Sequence, residues 1–157
     1  MSELKDEYWM QQAVELARLG GESGEVPVGA ILVCDNKIIG RGFNSSILSC
    51  DASAHAEIIA LREAGQFLEN YRLPNSTLYV TLEPCTMCVG AMVHARIHTL
   101  VFGTREPKAG AVCSQRNLLS DPFYNHQVEW REGVLADNCS DLLSSFFRIR
   151  RAEKKDR

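Results

Sequence analysis

Ser76-Thr77-Leu78-Tyr79-Val80-Thr81-Leu82-Glu83-Pro84-Cys85-Thr86-Met87-Cys88 is the stretch whose reading decides the organisation of the chain. Ser76 to Leu82 has the composition of a strand. Pro84 then opens a helix running to about Ala95, because the fixed φ and missing N–H of proline suit a first helical turn. His98 to Gly103 reads as the next strand. Working outward, Ala54 to Ala64 reads as a short helix. Val28 to Cys34 and Lys37 to Phe43 read as strands joined by a tight turn at Asp35-Asn36. Leu4 to Leu19 carries Trp9, Ala13, Leu16 and Ala17 at helical spacing, and Gly20, Gly21 and Gly24 are expected to break it. Downstream, Thr104 to Asn125 is irregular, long enough to hold helical turns or a functional loop. Val128 to Trp130 is a short strand, and Asp137 to about Ala152 a final helix. This order points to an α/β fold, one sheet with helices on both faces.

The 157 residues are 45% hydrophobic and 24% charged, which suits one domain able to bury a core without disulfides. Residues 1–157 read as a single domain ending in a basic helix at about 137–157. No apolar run approaches the roughly 20 residues of a membrane helix. The start, Met1-Ser2-Glu3-Leu4-Lys5-Asp6-Glu7, is too polar for a secretory signal. The chain is expected in the cytoplasm, with no membrane association. Of six cysteines only Cys85 and Cys88 have metal-ligand spacing; Cys34, Cys50, Cys113 and Cys139 are expected to be small buried side chains. The net charge of −3 hides an asymmetry: residues 146–157 carry +4 and the rest −7. A basic end of this kind is a candidate polyanion-binding surface.

The residues that carry chemistry fall in two short elements, His55-Ala56-Glu57 and Pro84-Cys85-Thr86-Met87-Cys88. Zinc accepts neutral imidazole nitrogen and thiolate sulfur, and a catalytic zinc keeps one position for water where a structural zinc closes it with a fourth protein ligand. His55, Cys85 and Cys88 supply three ligands. Water is the expected fourth, with His94, His98 or His126 as the alternative. Cys85 and Cys88 are expected in a first helical turn, where free N–H groups and the helix dipole favour thiolate. Either motif alone is weak, since cysteine pairs and H-x-E triplets are common. Together, each opening a helix, they are specific, and they form the pattern of the zinc-dependent nucleobase deaminases. Residues two apart on a regular helix do not share a face, so joint use of His55 and Glu57 requires them at a helix entrance. The plain role of Glu57 is to complement the helix dipole. Its catalytic role is to shuttle a proton from a metal-activated water to a ring nitrogen and then to the departing amine.

Further stretches carry a closer resemblance: Glu7-Tyr8-Trp9-Met10, Glu25-Val26-Pro27-Val28-Gly29-Ala30, Ala54-His55-Ala56-Glu57-Ile58, Asn70-Tyr71-Arg72-Leu73, Leu78 through Cys88, Val101-Phe102-Gly103 and Phe146-Phe147-Arg148. They span nearly the whole chain, which resembles the bacterial tRNA-specific adenosine deaminases of the cytidine-deaminase-like superfamily. The resemblance implies a three-layer α/β/α sandwich on a mixed five-stranded sheet, and a homodimer. It implies hydrolytic deamination of adenosine to inosine at the wobble position of tRNA, by zinc-activated water attacking C6 with release of ammonia. One Zn2+ per chain would be held by His55, Cys85 and Cys88 with a catalytic water, and Glu57 would shuttle protons. Asn44 maps to the residue that reads the target base, with Val26, Pro27, Val28 and Leu82 near the pocket and the Ala56 N–H as a further base contact. On the residues alone, Asn44 is a turn residue and the valines are strand core.

Two positions depart from the family pattern. Asp51-Ala52-Ser53 stands where Asp-Pro-Thr is common, so the loop is expected to be looser. Glu106, in Arg105-Glu106-Pro107-Lys108, stands where aspartate is usual, which bears on contacts of Glu106 and Lys108 with the nucleotide backbone. In the basic tail, Phe147, Arg148, Arg150 and Arg151 are candidate contacts to an anticodon stem-loop, by cations on phosphates and planar groups on bases; the plain reading is a solvated helix face with one of Phe146 and Phe147 in the core. Two competing functions share these features: deamination of a free base or nucleotide of guanine or cytosine type, and a non-catalytic zinc module that binds RNA.

Overall fold

Asp35 and Asn36 both adopt left-handed backbone, φ 52° and 57°. That is the geometry of a two-residue turn matched to strand twist, and it joins β1 (Gly29–Cys34) to β2 (Lys37–Phe43) as an antiparallel hairpin. In the computed structural model, which describes residues 2–155, the remaining strands are β3 (Ser76–Leu82), β4 (Thr99–Thr104) and β5 (Glu129–Glu132). The sheet order is β2-β1-β3-β4-β5. β3 pairs antiparallel with β1 and parallel with β4, and β4 pairs parallel with β5, so the sheet is mixed. The parallel pairs need crossovers. The first is α3 (Thr86–His94). The second is the long segment 105–128, whose regular structure is a three-residue 3-10 turn at Leu118–Ser120.

Helices cover both faces. α1 (Ser2–Glu22) and α4 (Ala136–Lys155) lie on one, burying Met10, Ala13, Ile31, Val101 and Cys139 together. α2 (Ala56–Leu68) and α3 lie on the other, over Leu32, Leu78, Val80, Leu100 and Phe102. The central strands β3 and β4 are buried along nearly their whole length instead of alternating, because helices cover both faces. The three-layer α/β/α sandwich expected from the resemblance is the observed architecture.

α1 continues through Gly20 and Gly21, because these glycines mark close packing and not an end. A Cβ on Gly20 would lie 3.0 Å from the Phe43 ring and one on Gly21 3.2 Å from Pro27. α2 runs four residues beyond Ala64 and stops at Glu69, which is left-handed at φ 54° and donates its N–H back to the helix. Cys139 is buried and Cys34 and Cys113 are half-buried, but Cys50 is exposed on a surface turn at φ 49°. The expected burial of Cys50 is therefore incorrect: the loop that carries it lies outside the two cores. No described helix is long and apolar enough to cross a membrane.

Candidate active site

The site forms at the end of the sheet where β1 begins and β3 ends, between the first residues of α2 and α3. His55 has extended backbone (φ −76°, ψ 153°) immediately before α2, and Cys85 has extended backbone (φ −81°, ψ 176°) immediately before α3. Both are N-cap residues, and neither side chain caps its own helix, so both are left for other work. Pro84 and Cys85 thus precede the α3 helix, correcting the expectation that they lie in its first turn; Cys88 does lie there. The first free N–H of α2, that of Ala56, is capped from a distance: the Asn44 side-chain oxygen accepts it at 2.9 Å. Asn44 follows β2, so this bond ties the strand to the mouth of the helix. The Ala56 N–H, expected as a base contact, already has this partner.

The His55 Nδ1 lies 3.6 Å from the Cys85 Sγ and 3.6 Å from the Cys88 Sγ, and the two sulfurs are 3.8 Å apart. A tetrahedral zinc with Zn–S of about 2.3 Å and Zn–N of about 2.0 Å has S···S edges of about 3.8 Å and N···S edges of about 3.5 Å. The triangle has the dimensions of one face of that tetrahedron. Electrostatics agree. The Cys85 thiol is pulled down to about 3 by the hydrogen bond from Cys88 and by His55, whereas Cys88 is pushed up by its bond to Cys85 and by burial. Two adjacent thiolates need a cation between them. The hydrogen bond with Cys85 also holds the His55 pKa above its ordinary value. The donors fit one zinc ion per chain. Among the described residues no other cluster of this kind occurs. His98 bonds to the Thr99 hydroxyl at 2.7 Å and His126 to the Ile97 carbonyl at 2.7 Å, and His94 stands at the far end of α3 from Cys85, so none joins the set.

Glu57, the second residue of α2, is 4% exposed, and its burial raises the pKa of its carboxyl. The position at the helix entrance resolves the spacing problem: His55 is outside the helix and Glu57 inside its first turn, so the two are not constrained by regular helical angles. Together they line a pocket of about 130 Å³, whose other walls include Val28, Asn44, Leu82 and Cys85. Glu106 and Ala109 complete it from the 105–128 segment. Val26 and Pro27 do not line it. Val26 packs against the α2/α3 core and Pro27 is buried against Gly21; they support the strand start that carries Val28.

Residues 3–104 match the family described as "Cytidine and deoxycytidylate deaminase zinc-binding region". The tRNA-specific adenosine deaminase of Haemophilus influenzae is 55% identical over 151 residues, which cover 96% of this chain and 87% of that protein. This chain belongs to the tRNA-specific adenosine deaminase family. The tRNA-specific adenosine deaminase of Bacillus subtilis is 44% identical over 96% of this chain and 94% of its own length. A solved structure from work on A-to-I editing by tRNA:A34 deaminases at the wobble position superposes with a TM-score of 0.84 at 42% identity, covering 87% of this chain and 99% of that one.

Sequence reasoning missed two buried carboxylates that hold the loops on either side of this deaminase's pocket. Glu25 accepts the N–H groups of Ile47 (3.2 Å) and Leu48 (2.7 Å). With the Asp51 carboxylate bonded to the Ser53 N–H (2.9 Å) and hydroxyl (2.7 Å), it fixes the 44–55 loop, so the absence of proline at Ala52 does not leave that loop unsupported. Glu83 accepts the N–H groups of Glu106 (3.1 Å), Val112 (3.1 Å), Cys113 (2.8 Å) and Ser114 (2.9 Å) and the Ser114 hydroxyl. Burial would raise the Glu83 pKa, but these bonds outweigh it and hold the carboxyl below its ordinary value. Gly110 is required here: a Cβ would come within 2.3 to 2.5 Å of the Glu83 carboxylate. The available signal was the position of Glu83 between an apolar strand and Pro84-Cys85, where an unpaired carboxylate would be costly.

The tail divides. Phe146 is half-buried and Phe147 is 44% exposed, so Phe146 is the more buried of the pair, but it packs against neither core, and the expectation of a core phenylalanine here is not met. Arg150 donates to the Gly24 carbonyl at 2.6 Å and stacks 4.9 Å from the Phe146 ring centroid. That contact brings the basic end of α4 beside the segment leading to Val28 and the pocket. Arg148 and Arg151 are exposed.

Proposed function

We propose that this chain deaminates adenosine to inosine at the first anticodon position of tRNA. The observation that carries the reading is a zinc-dimensioned His55–Cys85–Cys88 triangle beside the buried Glu57, in a chain 55% identical to a tRNA-specific adenosine deaminase over nearly its whole length. His55, Cys85 and Cys88 would hold the zinc, which when bound would supply Lewis acidity to activate a water for attack. Glu57 would take a proton from the attacking water and deliver it to the ring nitrogen beside C6. Its raised pKa suits a group that must hold a proton between steps. As the water oxygen bonds to C6, Glu57 would take the remaining hydroxyl proton and pass it to the exocyclic amine, the C6–N bond breaking as ammonia leaves and the C6 carbonyl forms. Adenosine and water thus give inosine and ammonia. Asn44, its oxygen bonded to Ala56, has its amide N–H donors left for the base, and Val28 and Leu82 flank the ring.

The base must leave its stack to reach this pocket, and an anticodon loop presents bases already unpaired, which lowers that cost. Exposed Arg148 and Arg151, with Phe147, supply remote contacts to the loop that orient the reacting base. The experiment compares a wobble-adenosine anticodon stem-loop with free adenosine, guanine and cytosine, scoring ammonia and inosine. Inosine in the stem-loop with little turnover of free bases is expected. Turnover of a free base with no inosine in the stem-loop would replace this reading by that of a free-base deaminase.

The same reading includes a homodimer and a cytoplasmic location with the tRNA pool, the chain acting as one deaminase domain. A groove of about 610 Å³ lies on the α2/α3 layer away from the triangle. It is lined by Ile58, Leu61, Leu73, Ala91 and Ala95, and Tyr71 beside it is 69% exposed. An apolar groove of this size suits a second copy of the chain. A monomer by light scattering at assay concentration would remove the dimer from the account.

A further inference from the structure

The short segment 24–28 touches the basic tail at one end and the pocket at the other. At its start, Arg150 donates to the Gly24 carbonyl at 2.6 Å, with its guanidinium 4.9 Å from the Phe146 ring centroid. Gly24 has φ 91° in the turn that leaves α1, and its own N–H bonds to the Gly21 carbonyl at 3.1 Å. A carbonyl just past a helix end lacks a partner inside the helix, and the dipole favours a cation beside it. Next in the chain, Glu25 is 2% exposed and uses one carboxylate oxygen for the Ile47 N–H and the other for the Leu48 N–H. At the far end, the Val28 carbonyl accepts the Asn44 N–H at 3.1 Å, and Val28 is itself a wall of the pocket.

The loop this segment grips is 44–55. Its neck is closed by the Ser45 N–H on the Ala54 carbonyl at 2.9 Å, so Asn44 and His55, which flank the neck and both line the pocket, are held as a pair. Ile47 and Leu48 are 62% and 59% exposed, so the middle of the loop is attached through its backbone N–H groups on Glu25 and not through side-chain burial. We infer that Arg150 is a positioning residue for the reaction, acting through Gly24 and Glu25 on the loop that sets Asn44 and His55 at the pocket. This rests on the deaminase reading above, which gave Arg150 no part. Its guanidinium is committed to a carbonyl and a ring, whereas Arg148 and Arg151 are exposed. The tail thus divides its work between holding RNA and holding the pocket. The second matters to rate because a remote change that misplaces reacting groups by about 1 Å can cost about 10²-fold.

Two measurements on the zinc-loaded full chain test this, both well below the thermal midpoint of every variant. The first is amide hydrogen exchange without RNA. R150A should speed exchange of the Ile47 and Leu48 amides about fivefold, the equivalent of one lost hydrogen bond, besides loosening α4. Faster exchange in α4 alone would make Arg150 a tail anchor and overturn the inference. The second is the single-turnover rate on the wobble-adenosine stem-loop across a range of RNA concentrations. R150A and E25Q are each expected to lower the maximal rate about tenfold; in E25Q the new NH₂ faces one of the two loop N–H groups, a donor against a donor. R150K, which can still donate to Gly24, should restore most of the loss. R150A/E25Q should fall no further than the slower single variant, because the two residues act in series. A wild-type maximal rate in R150A with only a raised half-saturating RNA concentration would make Arg150 a binding residue and overturn the inference, as would losses that multiply in the double variant. No inosine with wild-type protein, alongside faster loop exchange in R150A, would instead sink the deaminase reading, and the role of Arg150 in the reaction with it, and leave only the structural link.

Discussion

Replacing Glu83 with glutamine keeps its shape and removes one charge from the point where the 105–128 segment is fastened. One carboxylate oxygen accepts the N–H groups of Val112, Cys113 and Ser114, and the other accepts the Glu106 N–H and the Ser114 hydroxyl. Glutamine has one acceptor oxygen. If it keeps the three N–H bonds, its own NH₂ faces the Glu106 N–H, a donor against a donor; the Ser114 hydroxyl can turn and accept. An unpaired buried donor costs about 1–3 kcal/mol, and each remaining bond loses the roughly 1 kcal/mol that separates charged from neutral acceptors. These losses are not additive, and about 2–4 kcal/mol is a reasonable net weakening of the loop. At 1.4 kcal/mol per decade this raises the open population about 30-fold or more. The assay is limited trypsin digestion of zinc-loaded protein, following cleavage after the exposed Lys108 and Arg116. E83Q should be cut at these sites at least tenfold faster than wild type with unchanged zinc content, since no ligand is touched. Cleavage within twofold of wild type, at an unchanged urea midpoint, would refute the assignment of Glu83 as the fastening of this loop.

Three further outcomes are expected. C85A should lose its zinc by metal analysis, whereas C34A and C139A should keep close to one zinc per chain; full zinc in C85A would sink the ligand assignment. E57Q should retain zinc and fold but lose about 10²- to 10⁴-fold in single-turnover rate, the usual worth of a positioned proton-transfer group, and near-normal activity would mean that another group carries the proton. Replacing Arg148 and Arg151 with alanine should flatten the salt dependence of stem-loop binding by about 0.7 per cation without changing the thermal midpoint. Replacing Arg150 should also lower the midpoint, because it bridges α4 to Gly24; an unchanged salt slope in the Arg148/Arg151 variant would return the tail to a solvated helix face.

Much of this was legible in the sequence because the deciding signals are local. Asp35-Asn36 between two apolar runs specifies its own turn, and the bounds of β2 and β3 follow from composition. His55, Cys85 and Cys88 are recognisable because zinc chemistry restricts which side chains can serve. The signals that failed were those that need a third dimension. Gly20 and Gly21 looked like helix breakers, but their meaning lies in Phe43 and Pro27, distant in sequence. Asn44 was assigned a turn role by its neighbours and a base-reading role by resemblance. Its observed bond, capping α2 at Ala56, crosses twelve residues and belongs to neither reading. Glu25 and Glu83 were passed over because a carboxylate in sequence looks solvated. Only the loops folded around them turn them into fastenings for the two sides of the pocket.

The claim at the centre of this account is that the chain writes inosine into tRNA. It is tested most directly by sequencing the tRNAs of cells with and without the protein and reading the first anticodon position. The account predicts inosine at that position of at least one tRNA when the protein is present, adenosine there when it is absent, and restoration by the wild-type chain but not by E57Q. Unchanged inosine at every first anticodon position when the protein is removed would contradict it.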